Sequence, residues 1–325
     1  TVPTGAGLTV VDEVKTNKVS PATGTAFALG DSGDTFTVPS GATIVNSGTA
    51  TGFGITAASF RPNVNPLVYN GDMAVAQRST SVASITADSY NTVDRWQLEF
   101  DGSGNVGTWT QTQESLTSGD AHADGFSNSV KMDCTTADAS LAAGDRMEFR
   151  QLFEGQDLQL IKKGTANAEK LTFSFWVKAT KTGISIVEMY DLDNNRSCSQ
   201  SYTVSVTNTW EKKLVNFPAD TTGAYDNDNA ASLRLIFWMA AGTSFSSGTL
   251  QTTWGTVVSA NRAAGQVNHA DSTSNNFEIT GVQLEVGEYT SSDLPPFQHE
   301  TYAENLLRCQ RYYYKLKNDS GGAST

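Results

Sequence analysis

The chain has 325 residues, 38% of them hydrophobic, 10% aromatic and 17% charged, enough to bury one large or two modest cores, so a wholly disordered chain is excluded. With 22 Lys+Arg against 34 Asp+Glu the formal charge is -12; without a basic footprint for phosphate contacts, nucleic acid is not an expected partner. No stretch approaches the roughly 20 unbroken apolar residues of a bilayer crossing, and no membrane insertion is expected.

The opening lacks the cationic-then-apolar order of a secretory signal, and Thr1 as first residue reads as a trimmed chain or a portion of something longer. Residues 1–61 are rich in Gly and Thr and contain neither Trp nor Tyr. Phe36, Val38, Ile44 and Phe53 are punctuated by Pro39-Ser40-Gly41 and Ser47-Gly48, which predicts short strands and tight turns. Large side chains are too few for a private core. The segment is therefore expected to be a β-rich shaft or anchor ordered by neighbouring chains, with a flexible linker as the alternative.

From residue 62 to 300 half-buried strands alternate with polar loops. Leu171, Phe173, Phe175 and Val177 fall on one face of a strand, and Thr172, Ser174, Trp176 and Lys178 on the other. The stretches 146–150, 184–190, 233–239 and 277–285 behave alike. Many short strands, turns full of Gly and Asn, and almost no helical period predict an all-β antiparallel sandwich; a parallel α/β fold would need crossover helices. Residues 301–325 read as a short helix and a linker to a possible distal region. Thr301-Tyr302-Ala303-Glu304 is a capping box, and Tyr302, Leu306, Cys309 and Tyr313 recur at helical spacing. These predict a helix over 301–317 with those four side chains packed against the domain or partner chains.

No catalytic residue is assigned. His122, His269 and His299 sit in no nucleophile-elbow or zincin pattern. Cys134, Cys198 and Cys309 are odd in number and widely spaced, and read as buried thiols. Gly102-Ser103-Gly104-Asn105 lacks the Lys of a phosphate loop and reads as a hairpin turn. Glu148, Glu154, Glu188, Asp191 and Asp193 would suffice in type for glycoside cleavage, although solvated surface carboxylates are the plainer reading. Asp191-Leu192-Asp193-Asn194-Asn195 suits a hard cation, so Asp191 and Asp193 are the metal candidates. An EF-hand would need Gly and Glu where Arg196 and Tyr202 stand, and turn-forming Asx residues are the alternative. Trp176 and Trp238 lie off the aliphatic stripes, beside Lys178 and Arg234. A ring flanked by polar groups stacks on a sugar face, so these four are the glycan-binding candidates; an interface with a second layer or subunit is the alternative.

Asn65-Pro66-Leu67-Val68-Tyr69-Asn70-Gly71-Asp72-Met73-Ala74-Val75-Ala76-Gln77-Arg78, followed by Asp94-Arg95-Trp96, resembles the opening of jelly-roll domains in bacteriophage tail-fibre proteins. The stretch 277–287, then 296–302, then Leu306-Leu307-Arg308-Cys309-Gln310-Arg311-Tyr312-Tyr313, resembles their closing, so the pair frames residues of about 65 to 314. The run from Gly33 to Ile44 is similar to shaft segments of marine phage fibres. The framed domain also resembles the carbohydrate-binding modules attached to polysaccharide-degrading enzymes, with Asn70-Gly71-Asp72 near the first strand and a Phe-x-Ile-x-x-Val-x-Leu last strand. Those modules often hold a structural calcium beside an Asp in that strand; here Thr280 and Gly281 stand there. No cofactor is expected.

The resemblance implies a jelly roll in a non-enzymatic virion tail-fibre protein, a homotrimer that contacts other virion proteins and host surface polysaccharide. Its weak sites would be multiplied by copy number, and it would be assembled into the virion in the bacterial host cytoplasm. Two alternatives stand beside it: a purely structural adaptor, collar or capsid fibre protein, and a polysaccharide depolymerase.

Overall fold

The computed structural model describes residues 65–102 and 106–316. Expectations for 1–61, for Ser103-Gly104-Asn105 and for residues after Leu316 lie outside the described residues.

Among the described residues the alternating stretches become twelve strands, in chain order Ser81–Ile85 (β1), Trp96–Asp101 (β2), Thr108–Ser115 (β3), Asn128–Thr136 (β4), Arg146–Glu154 (β5), Leu171–Ala179 (β6), Gly183–Asp191 (β7), Arg196–Val204 (β8), Glu211–Phe217 (β9), Ala231–Ala241 (β10), Gly255–Thr256 (β11) and Asn276–Val286 (β12). Three short helices join them: Asp120–Ala123 (α1), Thr243–Ser246 (α2) and Tyr302–Gln310 (α3). The first sheet runs β1-β3-β4-β12-β6-β9 and the second β11-β8-β7-β10-β5-β2. Every pairing between them is antiparallel. The architecture is the expected antiparallel jelly-roll β-sandwich with a short C-terminal helix.

The core is what strand parity dictates. Phe173, Phe175 and Val177 of β6 point inward to meet Phe237 of β10, whose ring stands edge-on 4.9 Å from that of Phe175; Trp96 stacks on Phe149 at 5.0 Å. Parity breaks once in β12. Phe277 and Ile279 face inward, and so do Val282 and Leu284, because a bulge between Thr280 and Gln283 inserts one extra residue. Gly281 sits there at φ 60°, and a Cβ would lie 2.6 Å from the Phe126 ring, so only glycine fits.

The capping box forms. Thr301 Oγ1 accepts from the Glu304 amide at 3.3 Å, and the Glu304 carboxylate accepts from the Thr301 amide at 3.1 Å. The helix is shorter than the expected 301–317 and docks on a different face. Tyr302 is 59% exposed and Leu306 half-buried, Tyr313 lies beyond the helix and is half-buried, and Cys309 is buried beside Asn305. The reason is that polar contacts seat α3: Asn305 Nδ2 donates to Asp72 Oδ1 at 3.0 Å and Arg308 Nη2 to the Pro66 carbonyl at 2.7 Å. That stripe is turned by about 100° from the Tyr302–Leu306 stripe.

Candidate functional site

The two tryptophans named from sequence lie on different sheets. Trp176 and Lys178 are on the outer face of the first sheet, whereas Arg234 and Trp238 are on the outer face of the second. One platform of all four is therefore excluded. Trp238 is fully buried with Ile186, Ile236, Phe245 and Ala263, because the segment carrying α2 folds over that face. Its indole N–H donates to Glu188 Oε2 at 3.0 Å, and the Arg262 guanidinium lies 4.9 Å from its ring. Arg234, half-buried, stands 5.7 Å from the Tyr190 ring.

The rest of that face is filled by ions. Arg262 grips both oxygens of Glu188 at 2.9 Å and reaches Glu148 at 3.3 Å. Arg146 and Arg150 tie Glu148 to Glu99. Burial raises the Glu148 carboxyl above its ordinary range, against the pull of Arg262 and Arg146. The reading of Glu148 and Glu188 as solvated surface carboxylates is thus corrected: both are fully buried.

The metal reading of Asp191 and Asp193 is corrected as well. Lys163 Nζ sits 2.6 Å from Asp191 Oδ2 and 3.0 Å from Asp220 Oδ2, so an ammonium stands where a metal ion was expected. The same carboxylate caps the turn through the Asn194 amide, and Asp193 accepts from the Asp226 amide, both at 3.0 Å. Among the described residues no group of three or more His, Cys, Asp and Glu is placed to hold a metal ion.

The outer face of the first sheet stays open. Register sets side by side Lys131 of β4, Glu278 of β12 and Lys178 of β6, and Trp210 stands just before β9 with its ring 4.9 Å from Lys178 Nζ. With Glu114, Asn276 and the loop from Ser115 to Ser118 they line a groove of about 340 Å³. Glu278 is held by Lys178 Nζ at 2.6 Å and by Ser129 Oγ at 2.5 Å. Gly119, at φ 90°, packs against Trp210, where a Cβ would be 3.2 Å from the ring. Trp176 flanks the groove: its indole N–H and Lys212 Nζ both reach Asp124 Oδ2, at 3.0 and 2.9 Å. Trp210 is itself only 8% exposed, and Lys131 and Lys178 are paired with Asp133 and Glu278; chemically the groove offers the exposed margin of one indole ring, two ammonium groups, loop hydroxyls, and carboxylate and amide acceptors. Its lining charges, Glu114 and Glu278 against Lys131 and Lys178, balance.

Trp210 is the residue that sequence reasoning missed. It lies at a strand entrance after Asn208-Thr209, outside any alternating run, and its one signal was its place next to the polar Glu211-Lys212-Lys213.

No protein-family model and no curated protein matches this chain. Solved structures similar to it include the enzymatically active domain of tailspike protein 4 of bacteriophage CBA120, at 15% identity and a TM-score of 0.36 over 68% of this chain and 21% of that one. The match thus spans about a fifth of the tailspike chain. TmCBM61 in complex with beta-1,4-galactotriose is similar at 9% identity and a TM-score of 0.31, over 68% of this chain and 99% of that one. The family 11 carbohydrate-binding module of the cellulosomal cellulase Lic26A-Cel5E of Clostridium thermocellum is similar at 12% identity and a TM-score of 0.30, over 65% and 98%.

Proposed function

We propose that this chain is a non-enzymatic component of a virion fibre, a homotrimer whose jelly roll binds host surface polysaccharide in the groove on the first sheet. The observation that carries the glycan reading is the open groove in which the exposed margin of the largely buried Trp210 ring lies beside Lys178, Lys131, Glu114 and Asn276. A pyranose presents an apolar face to such a ring while its hydroxyls exchange hydrogen bonds with mixed donors and acceptors. Charge balance in the lining favours a neutral sugar. Membership of a virion, assembly in the bacterial host cytoplasm and contacts with other virion proteins are supported by the resemblance of the opening and closing signatures to phage fibre domains. A single shallow groove gives weak binding, which trimer copies would multiply.

The test is affinity electrophoresis of the full chain through gels containing neutral host polysaccharides, with W210A and E114A as variants. Retardation lost in both variants, with circular dichroism unchanged, supports the groove. Retardation that persists in both overturns it. Because Glu114 and Glu278 share the groove, the same polysaccharides are assayed for new reducing ends. Their appearance, abolished by E114Q, would establish the depolymerase reading instead.

A further inference from the structure

The opening and closing signatures of the jelly roll meet in space, away from the groove. Arg78, Tyr90, Asp94 and Arg95 from the start join Tyr312 and Tyr313 from the end around a cavity of about 180 Å³. Two cation–ring stacks build its walls. The Arg78 guanidinium lies 3.6 Å from the Tyr313 ring and 5.4 Å from Tyr90, and that of Arg95 lies 3.3 Å from Tyr312.

The two arginines differ in their partners. Arg78 pairs with Asp94 at 3.2 Å, and Gln77 Nε2 donates to the same carboxylate. Arg95 is only 6% exposed, donates to the Leu152 carbonyl, keeps its Nε buried without a hydrogen-bond partner, and makes no salt bridge among the described residues. A guanidinium out of water without a carboxylate is unusual, since buried charges are ordinarily paired. Its backbone is held at φ 73°, a region that non-glycine residues rarely occupy and that the surrounding structure must enforce.

The local charge is therefore unbalanced: two guanidiniums line the cavity with one carboxylate. Cys309, also in the lining, adds no anion, because burial pushes its thiol up to about 12. In a chain of net charge -12, a cavity with one uncompensated positive charge selects a ligand with one negative charge. Three tyrosine rings around a space the size of one pyranose add a preference for a ring.

We propose that this cavity is a second ligand site, taking the carboxylate of one acidic sugar residue against Arg95, with Tyr90 and Tyr313 as its walls. The proposal shares the glycan-binding reading but uses different residues from the groove, so the two fail separately.

The test is calorimetric titration of the full chain with sodium glucuronate, glucose and sodium acetate at fixed ionic strength. The expected result is saturable binding of glucuronate, at least tenfold weaker binding of acetate, and none of glucose. R95Q should abolish the glucuronate response and R78Q should weaken it at least tenfold, whereas W210A should leave it unchanged. Equal affinity for acetate would mark a bare anion site and overturn the sugar assignment. Glucuronate binding that is absent in wild type, matched by glucose, or retained in R78Q would overturn the proposal outright, and this holds even where R95Q does not fold.

Discussion

Replacing Trp238 by alanine tests whether the outer face of the second sheet is interior rather than binding surface. The ring is fully buried among Ile186, Ile236, Phe245 and Ala263, and emptying a buried aromatic site costs about 3–5 kcal/mol. The lost indole donor adds little, about 1 kcal/mol at most, since Arg262 keeps its two contacts of 2.9 Å to Glu188. W238A should therefore lose about 4 kcal/mol, roughly a thousandfold in the folding equilibrium. Phenylalanine retains most of the ring, and W238F should lose about 1–2 kcal/mol. Urea unfolding followed by far-ultraviolet circular dichroism at pH 7 measures both, with the m value required to stay constant so that midpoint shifts report stability. Polysaccharide retardation of W238A below its unfolding midpoint should match wild type, because the groove lies on the other sheet. A loss under 1 kcal/mol, or binding abolished with stability intact, would refute the burial argument and restore Trp238 as a binding residue.

Thr301→Ala removes the side-chain half of the capping box of α3, the Oγ1 acceptor for the Glu304 amide, and should cost about 1 kcal/mol in the same urea assay, with T301S near wild type. Gly281→Ala should destabilise by more than 1 kcal/mol, as the added methyl meets Phe126 at 2.6 Å on a backbone at φ 60°, and F126A should relieve part of that loss in a double-mutant cycle. His269 is fully buried, and burial, reinforced by Lys181 and opposed by Asp271, lowers its pKa from 6.5 to about 4. The unfolded chain thus takes up the proton first: stability from this group is complete above pH 6.5 and is lost as pH falls through about 4, on the order of 3 kcal/mol in all. Urea midpoints from pH 7 to 4 should show this fall in wild type and not in H269Q.

Strand faces were legible because a period of two leaves little choice: Trp176 and Trp238 lie off the inward stripe, as parity requires. What covers an outward face was not legible. Glu148 meets Arg262 across 114 positions of sequence, and α2 arrives from the same distant loop, so a row of charged outward residues read as solvated when it is packed. The stretch 277–285 reads as plain alternation, so the bulge at Gly281 was not legible, and only the Phe126 ring shows why glycine stands there. The loop at Asp191 failed differently. Its Asx residues cap turns, and a pattern of acceptors cannot distinguish a metal ion from Lys163, which comes from 28 residues upstream.

The contrast between the two outer faces follows from how their charges are paired. On the second sheet Glu148 and Glu188 of the central strands meet Arg262 under a covering loop, an arrangement that fixes one packing and leaves few acceptors for a ligand; such buried ion pairs contribute little net stability because desolvation offsets their attraction. On the first sheet Glu278 is held by Lys178 and Ser129 and Lys131 by Asp133, while Lys131 and Glu114 remain half-buried at the groove. Half-buried polar groups keep water that a ligand hydroxyl can replace at little cost. On the proposed reading, the groove on the first sheet is thus where water would be exchanged for sugar, with the exposed margin of Trp210 adding apolar contact.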